Sequence, residues 1–112
     1  MIVTTAALLA GCDDPSPADT YITDAAALKR GKSIFVGNCG AYCHSTQPGP
    51  KDAPYLFDCQ WIHGGSDQEI FNTISNGVPG TRMIGFGGKL PRGDDDLWKV
   101  IAYLKKNRES CG

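Results

Sequence analysis

The chain has 112 residues and a formal net charge of −1 at pH 7, enough for one domain and without the basic surplus of a nucleic-acid binder. Fourteen Gly and seven Pro imply many loops and little apolar core, and chains of this size need a staple such as a disulfide, a metal or a bound cofactor. No apolar run reaches the roughly 18 residues that a membrane-spanning helix needs.

The first element is a short apolar stretch, Ile2 to Ala10, leading to Leu9-Ala10-Gly11-Cys12. That tetrad resembles the lipobox of bacterial lipoproteins, whose peptide is cut before the cysteine and whose sulfur then carries lipid. An ordinary signal peptide, cut elsewhere, is the alternative. Residues 1–12 are therefore expected to be a signal or lipobox segment. That implies a periplasmic protein with membrane attachment through lipid on Cys12. Asp13 to Thr23 is polar, proline-containing and aperiodic, so residues 13–23 are expected to form a flexible tether. Residues 24–112 remain for the folded domain.

Asp24 is a good N-cap, and a first helix is expected from there to about Asn38, with Leu28, Gly31 and Phe35 on one stripe. Residues 45–65 are rich in helix breakers and read as a loop. Ser66-Asp67-Gln68-Glu69 fits a capping box for a short second helix, whose apolar face is Ile70, Phe71 and Ile74 and whose end is Gly77. Val78 to Gly93 reads as another glycine-rich loop. The last helix opens on Asp94-Asp95-Asp96 and closes on Lys105, Lys106 and Arg108, charges that complement the helix dipole at both ends. Leu97, Val100, Ile101 and Leu104 form its buried stripe. The class is all-α, with three main helices and long loops that would enclose almost nothing by themselves.

Five cysteines in so short a chain suit an oxidising compartment. Two of them stand in Cys39-Gly40-Ala41-Tyr42-Cys43-His44. A C-x-x-C-H run is the attachment signature of c-type haem: the thiols add to the haem vinyl groups and the adjoining histidine turns its imidazole to the iron. Here three residues separate the cysteines rather than two. A redox disulfide or half of a zinc site is the alternative, with His63, Cys59 and Cys111 as the further ligands available. Nothing resembles a hydrolytic nucleophile or an acid/base pair, so the chain does not read as an enzyme.

The context of that run resembles class I cytochromes c. Gly31-Lys32-Ser33-Ile34-Phe35-Val36-Gly37-Asn38-Cys39 is similar to the family's N-terminal helix, and Ile101-Ala102-Tyr103-Leu104-Lys105-Lys106 to its C-terminal helix. The resemblance covers about Asp24 to Asn107. It implies a small cytochrome c fold around one covalent haem c, with the two helices crossing where Gly31 meets Tyr103. It also implies His44 as the proximal iron ligand and a distal methionine in the loop before the last helix. Met83 is the internal methionine of that loop; a lone Met is otherwise core filler, and His63 is the rival ligand. Ala53-Pro54-Tyr55-Leu56 resembles the stretch whose proline carbonyl accepts the proton of the proximal imidazole, a role that would fall to Pro54; a plain turn proline is the alternative.

Phe57-Asp58-Cys59-Gln60-Trp61-Ile62-His63-Gly64-Gly65 is similar to a D-x-x-W-x-x-G-G segment of cytochromes tied to quinoprotein alcohol dehydrogenases and of haem subunits of cbb-type oxidases. There the tryptophan lines the haem edge, a place that Trp61 would take. The function implied is single-electron transfer by a monomeric carrier, from a donor dehydrogenase (a quinoprotein among the candidates) to a terminal oxidase. Two other classes stand against it: a haem-based sensor or gas-binding protein with a labile distal Met83, and a zinc or disulfide protein without haem. Cys59 and Cys111, left after lipid and haem, are expected to pair as a disulfide.

Overall fold

The computed structural model describes residues 15–40, 43–45, 47 and 53–109. Expectations placed on residues 1–14, the lipid on Cys12 among them, and on Cys111 lie outside the described residues. Among the described residues the chain is helical and contains no strand. Four α-helices are present: α1 Pro17–Tyr21, α2 Ala25–Ile34, α3 Asp67–Asn76 and α4 Asp94–Asn107.

Helix α1 stands where a tether was expected. Five residues cannot hold a helix in water by propensity, so its support is tertiary. Ser16 caps it, accepting from the Ala18 amide at 3.2 Å, and Ala18 is fully buried. Lys105 on α4 donates to Asp19 at 3.0 Å and to Asp67 at 3.0 Å, and the Ser16 hydroxyl also donates to Asp67. Tyr21 donates to Asp95 and lies under the Lys99 ammonium, 5.3 Å from its ring centroid. Burial alone would lower the pKa of Lys105, but its two carboxylate partners outweigh that and raise it.

Helix α2 is capped by Asp24, which accepts from Ala26 at 3.0 Å and Ala27 at 3.1 Å. It does not continue as one α-helix to Asn38. From Phe35 to Gly40 the turn widens to π-helical geometry, the kind of local expansion that proteins place next to functional residues.

Helices α2 and α4 form the principal interface, and its closest point is Gly31. A Cβ there would land on the Lys99 carbonyl oxygen, so only glycine permits this approach. The backbone of α4 that comes nearest to Gly31 is that of Lys99 and Val100. Tyr103, four residues beyond Lys99, packs on Phe35, four residues beyond Gly31, with ring centroids 5.7 Å apart. Phe57 closes this aromatic cluster, 5.6 Å from Phe35 and 5.9 Å from Tyr103. Asp96 stands in the first turn of α4, as expected, and is fully buried there. Arg30 grips it with two bonds of 3.1 and 3.0 Å, and the Arg92 amide adds a third at 2.9 Å.

Helix α3 begins and ends as its sequence implies. Ser66 and Glu69 form a capping box, and Gly77 terminates the helix at φ 72°. The loop after it runs back along α3 through bonds from Phe86 to the Ile74 carbonyl at 2.8 Å and from Gly87 to the Ser75 carbonyl at 3.1 Å. One wall of a cavity is built this way.

Candidate cofactor site

A cavity of about 720 Å³ opens between α3, the end of α4 and the two long loops, within the size range of cofactor sites. Cys43, His44, Pro54, Trp61, His63 and Met83 all contribute to its wall. The fold thus brings most of the sequence-identified residues to one place. Cys39 is the exception. It packs against the hydrophobic core instead, and burial, with the neighbouring Cys43, pushes its thiol up to about 11.

The Cys39 carbonyl accepts from the Cys43 amide at 3.1 Å and from the His44 amide at 2.8 Å. The second bond spans five residues, one more than an α-helical bond.

His44 is buried, 9% exposed, and its Nδ1 lies 2.6 Å from the Pro54 carbonyl oxygen. A carbonyl can only accept, so Nδ1 carries a proton and Nε2 is the nitrogen left to ligate a metal. This is how a metal-ligating imidazole is held to one tautomer and one ring orientation.

Trp61 is held from two sides. A Cβ at Gly65 would sit 3.2 Å from the indole, and the Arg108 guanidinium lies over the ring, 5.6 Å from its centroid. The Trp61 Nε1 is buried with no hydrogen-bond partner in the described structure. A buried donor without an acceptor costs stability, and a cofactor with a carboxylate edge would supply one. Arg108 was legible in the sequence only as a charge near a helix end, since its partners lie more than 40 residues away, as with the Gly65 carbonyl.

Met83 is set in place by its backbone. Its carbonyl accepts from the Val78 amide at 3.1 Å, and its own amide donates to the Thr81 hydroxyl at 3.2 Å. His63 also faces this wall from an exposed position, while Ile62 and Ile84, beside His63 and Met83, are 75% and 60% exposed.

The donor set suits haem c: a thiol at the wall, an imidazole with a free Nε2, a thioether, apolar side chains, and an orphaned indole donor. No group of three or more His, Cys, Asp or Glu side chains converges as a metal site among the described residues, so the zinc reading finds no ligand cluster there.

Fold and site together define a c-type cytochrome domain, an electron-transfer module whose cofactor is covalently bound haem c with its iron. Residues 26–104 match the family described as cytochrome c oxidase, cbb3-type, subunit III, and the chain belongs to that family. It is 38% identical over 91 residues to the cbb3-type cytochrome c oxidase subunit CcoP of Azospirillum sp. (strain B510), covering 70% of this chain and 30% of that protein. It is 45% identical over 87 residues to the subunit FixP of Sinorhizobium medicae (strain WSM419), covering 70% of this chain and 29% of the relative. With CcoP of Rubrivivax gelatinosus the identity is 38% over 65 residues, 57% of this chain and 21% of the relative. The chain thus spans less than a third of the length of these relatives. No solved structure matches it. Among the described residues, no helix is long and apolar enough to cross a membrane.

Proposed function

We propose that this chain carries one haem c, joined by thioethers to Cys39 and Cys43 and ligated through its iron by His44 and Met83, and that it passes single electrons without catalysing a reaction of its own. The observation that carries this reading is the 2.6 Å contact between His44 Nδ1 and the Pro54 carbonyl, which leaves Nε2 as a ligand on a wall shared with the Met83 loop. When bound, haem supplies a one-electron couple. Within that arrangement Pro54 orients His44, Met83 closes the sixth position to outside ligands, and Trp61 lines the cofactor's edge.

The acceptor is a terminal oxidase, or the assembly of which this domain is part, a reading supported by the relatives named as oxidase subunits. The donor is a dehydrogenase, with a quinoprotein among the candidates. Such a partner would dock on a monomeric domain through a small contact of under about 1,200 Å², and exposed Ile62 and Ile84 supply apolar surface beside the wall for it. The location is periplasmic, with lipid on Cys12 as the membrane attachment.

His63 on the same wall favours one competing reading, a gas-binding or sensing haem whose Met83 leaves the iron. Soret and α-band absorption, followed by a pyridine haemochrome spectrum, tests the assignment. One haem with two saturated vinyl groups is expected. A purified protein, matured in a host competent for c-type haem, that lacks a Soret band would refute it. Carbon monoxide binding by the untouched ferrous protein would favour the sensor.

A further inference from the structure

The C-terminal end of α4 does more than terminate a helix. Beyond Asn107 the chain turns back along the loop that carries Trp61: the Glu109 amide donates to the Phe57 carbonyl at 2.9 Å. Arg108 lies between them. Its Nη1 donates to the Gly65 carbonyl at 3.3 Å while its guanidinium carbon lies over the Trp61 ring, 5.6 Å from the centroid. One side chain therefore ties the residue after the sharp Gly64 turn (φ 98°) to the aromatic face at the start of that turn. The Trp61 side chain also meets Gly65, where an added Cβ would be 3.2 to 3.3 Å from the Trp61 Cγ, Cβ and Cδ1. The tryptophan contacts a guanidinium and a glycine, and its buried Nε1 has no hydrogen-bond partner among the described residues.

We propose that Arg108 is a positioning residue for the cofactor site: it holds Trp61 against the cavity wall and thereby sets the environment of the bound haem. This inference rests on the haem reading above. A planar guanidinium can stack on an indole and bond a carbonyl at once, whereas an ammonium offers a point charge without a stacking plane. Charge and planar contact are therefore separable by substitution.

The holo-protein variants R108A, R108K, W61F and W61F/R108A test the proposal, each first checked for haem by its pyridine haemochrome spectrum. A W98F background removes the other tryptophan. In R108A the haem-quenched Trp61 emission is expected to rise and the reduction potential to shift. R108K, which keeps the charge but not the planar guanidinium, is expected to behave like R108A. In the double variant the R108A effect on potential should vanish, since residues acting as one unit are non-additive. Three results would each overturn the proposal: haem-loaded R108A with wild-type emission and potential, full rescue by R108K, or an R108A shift that persists undiminished in W61F. Loss of haem from the parent protein itself would instead refute the haem reading.

Discussion

Gly31 and Lys99 meet backbone to backbone, with no room for a methyl group between the Gly31 Cα and the Lys99 carbonyl oxygen. Two effects oppose each other in Gly31→Ala. Helix propensity favours alanine by about 1 kcal/mol, whereas forcing atoms into a packed interface costs about 1–3 kcal/mol and the colliding atom here is backbone. The clash is expected to win. Denaturant unfolding should show G31A less stable than wild type by about 1–2 kcal/mol, and a stabilised G31A would show that the two helices separate easily.

Met83→Ala is expected to open the sixth iron position. The ferric spectrum should move towards high spin and the potential should fall, because thioether ligation favours the ferrous state. Carbon monoxide should bind the ferrous variant and not wild type. If wild type lacks the weak near-infrared band of iron–thioether ligation and M83A changes nothing, His63 becomes the ligand to test.

Asp96 makes a pH prediction whose sign follows from its partners. Its hydrogen bonds from Arg30 outweigh the cost of burial, and with the Arg92 amide they hold the carboxyl below the usual carboxylate range. A depressed folded pKa contributes stability above the unfolded value of about 3.9, and that contribution is lost as pH falls through the folded value. Asp96→Asn should therefore unfold at a clearly lower temperature than wild type at pH 7, with the gap closing below about pH 4. A gap independent of pH would assign the effect to packing instead.

Both haem thioethers are expected to form despite the three-residue gap, with the Cys39 side chain leaving the core against which it packs here to reach the cofactor beside Cys43. Mass spectrometry of the haem peptide, with and without alkylation, should find neither Cys39 nor Cys43 modifiable. An alkylated Cys39 would mean attachment through Cys43 alone.

Cys59 and Cys111 are expected to be joined. Cys39 and Cys43 are the free thiols among the described residues, and the Glu109 carbonyl lies 3.9 Å from the Cys59 sulfur, so the chain passes Cys59 two residues before Cys111. Closing a loop of about 53 residues would contribute about 4 kcal/mol in the chain-entropy model. Thiol counting on unfolded, unreduced protein should find neither residue free, and reduction should lower the unfolding midpoint.

The helix boundaries set by local chemistry were legible in the sequence. Asp24, Ser66 and Gly77 act on amides and carbonyls within four residues, so their roles do not depend on the rest of the fold. The attachment run, Pro54, Trp61 and Met83 were legible as motif residues, although nothing in their spacing says that they share a cavity. Tertiary structure decided the rest. Helix α1 escaped the sequence because Ser16 and Asp19 are supported across separations of 51 and 86 residues, which no local window contains. Asp96 looked like a dipole-complementing charge until the α2–α4 crossing buried it under Arg30, and Arg108 looked the same until the chain turned back over Trp61. A carboxylate or guanidinium reads alike in sequence whether water or a partner satisfies it. Only the packing of distant segments determines which, because the cost of burying a charge is offset by partners whose positions the whole fold must supply.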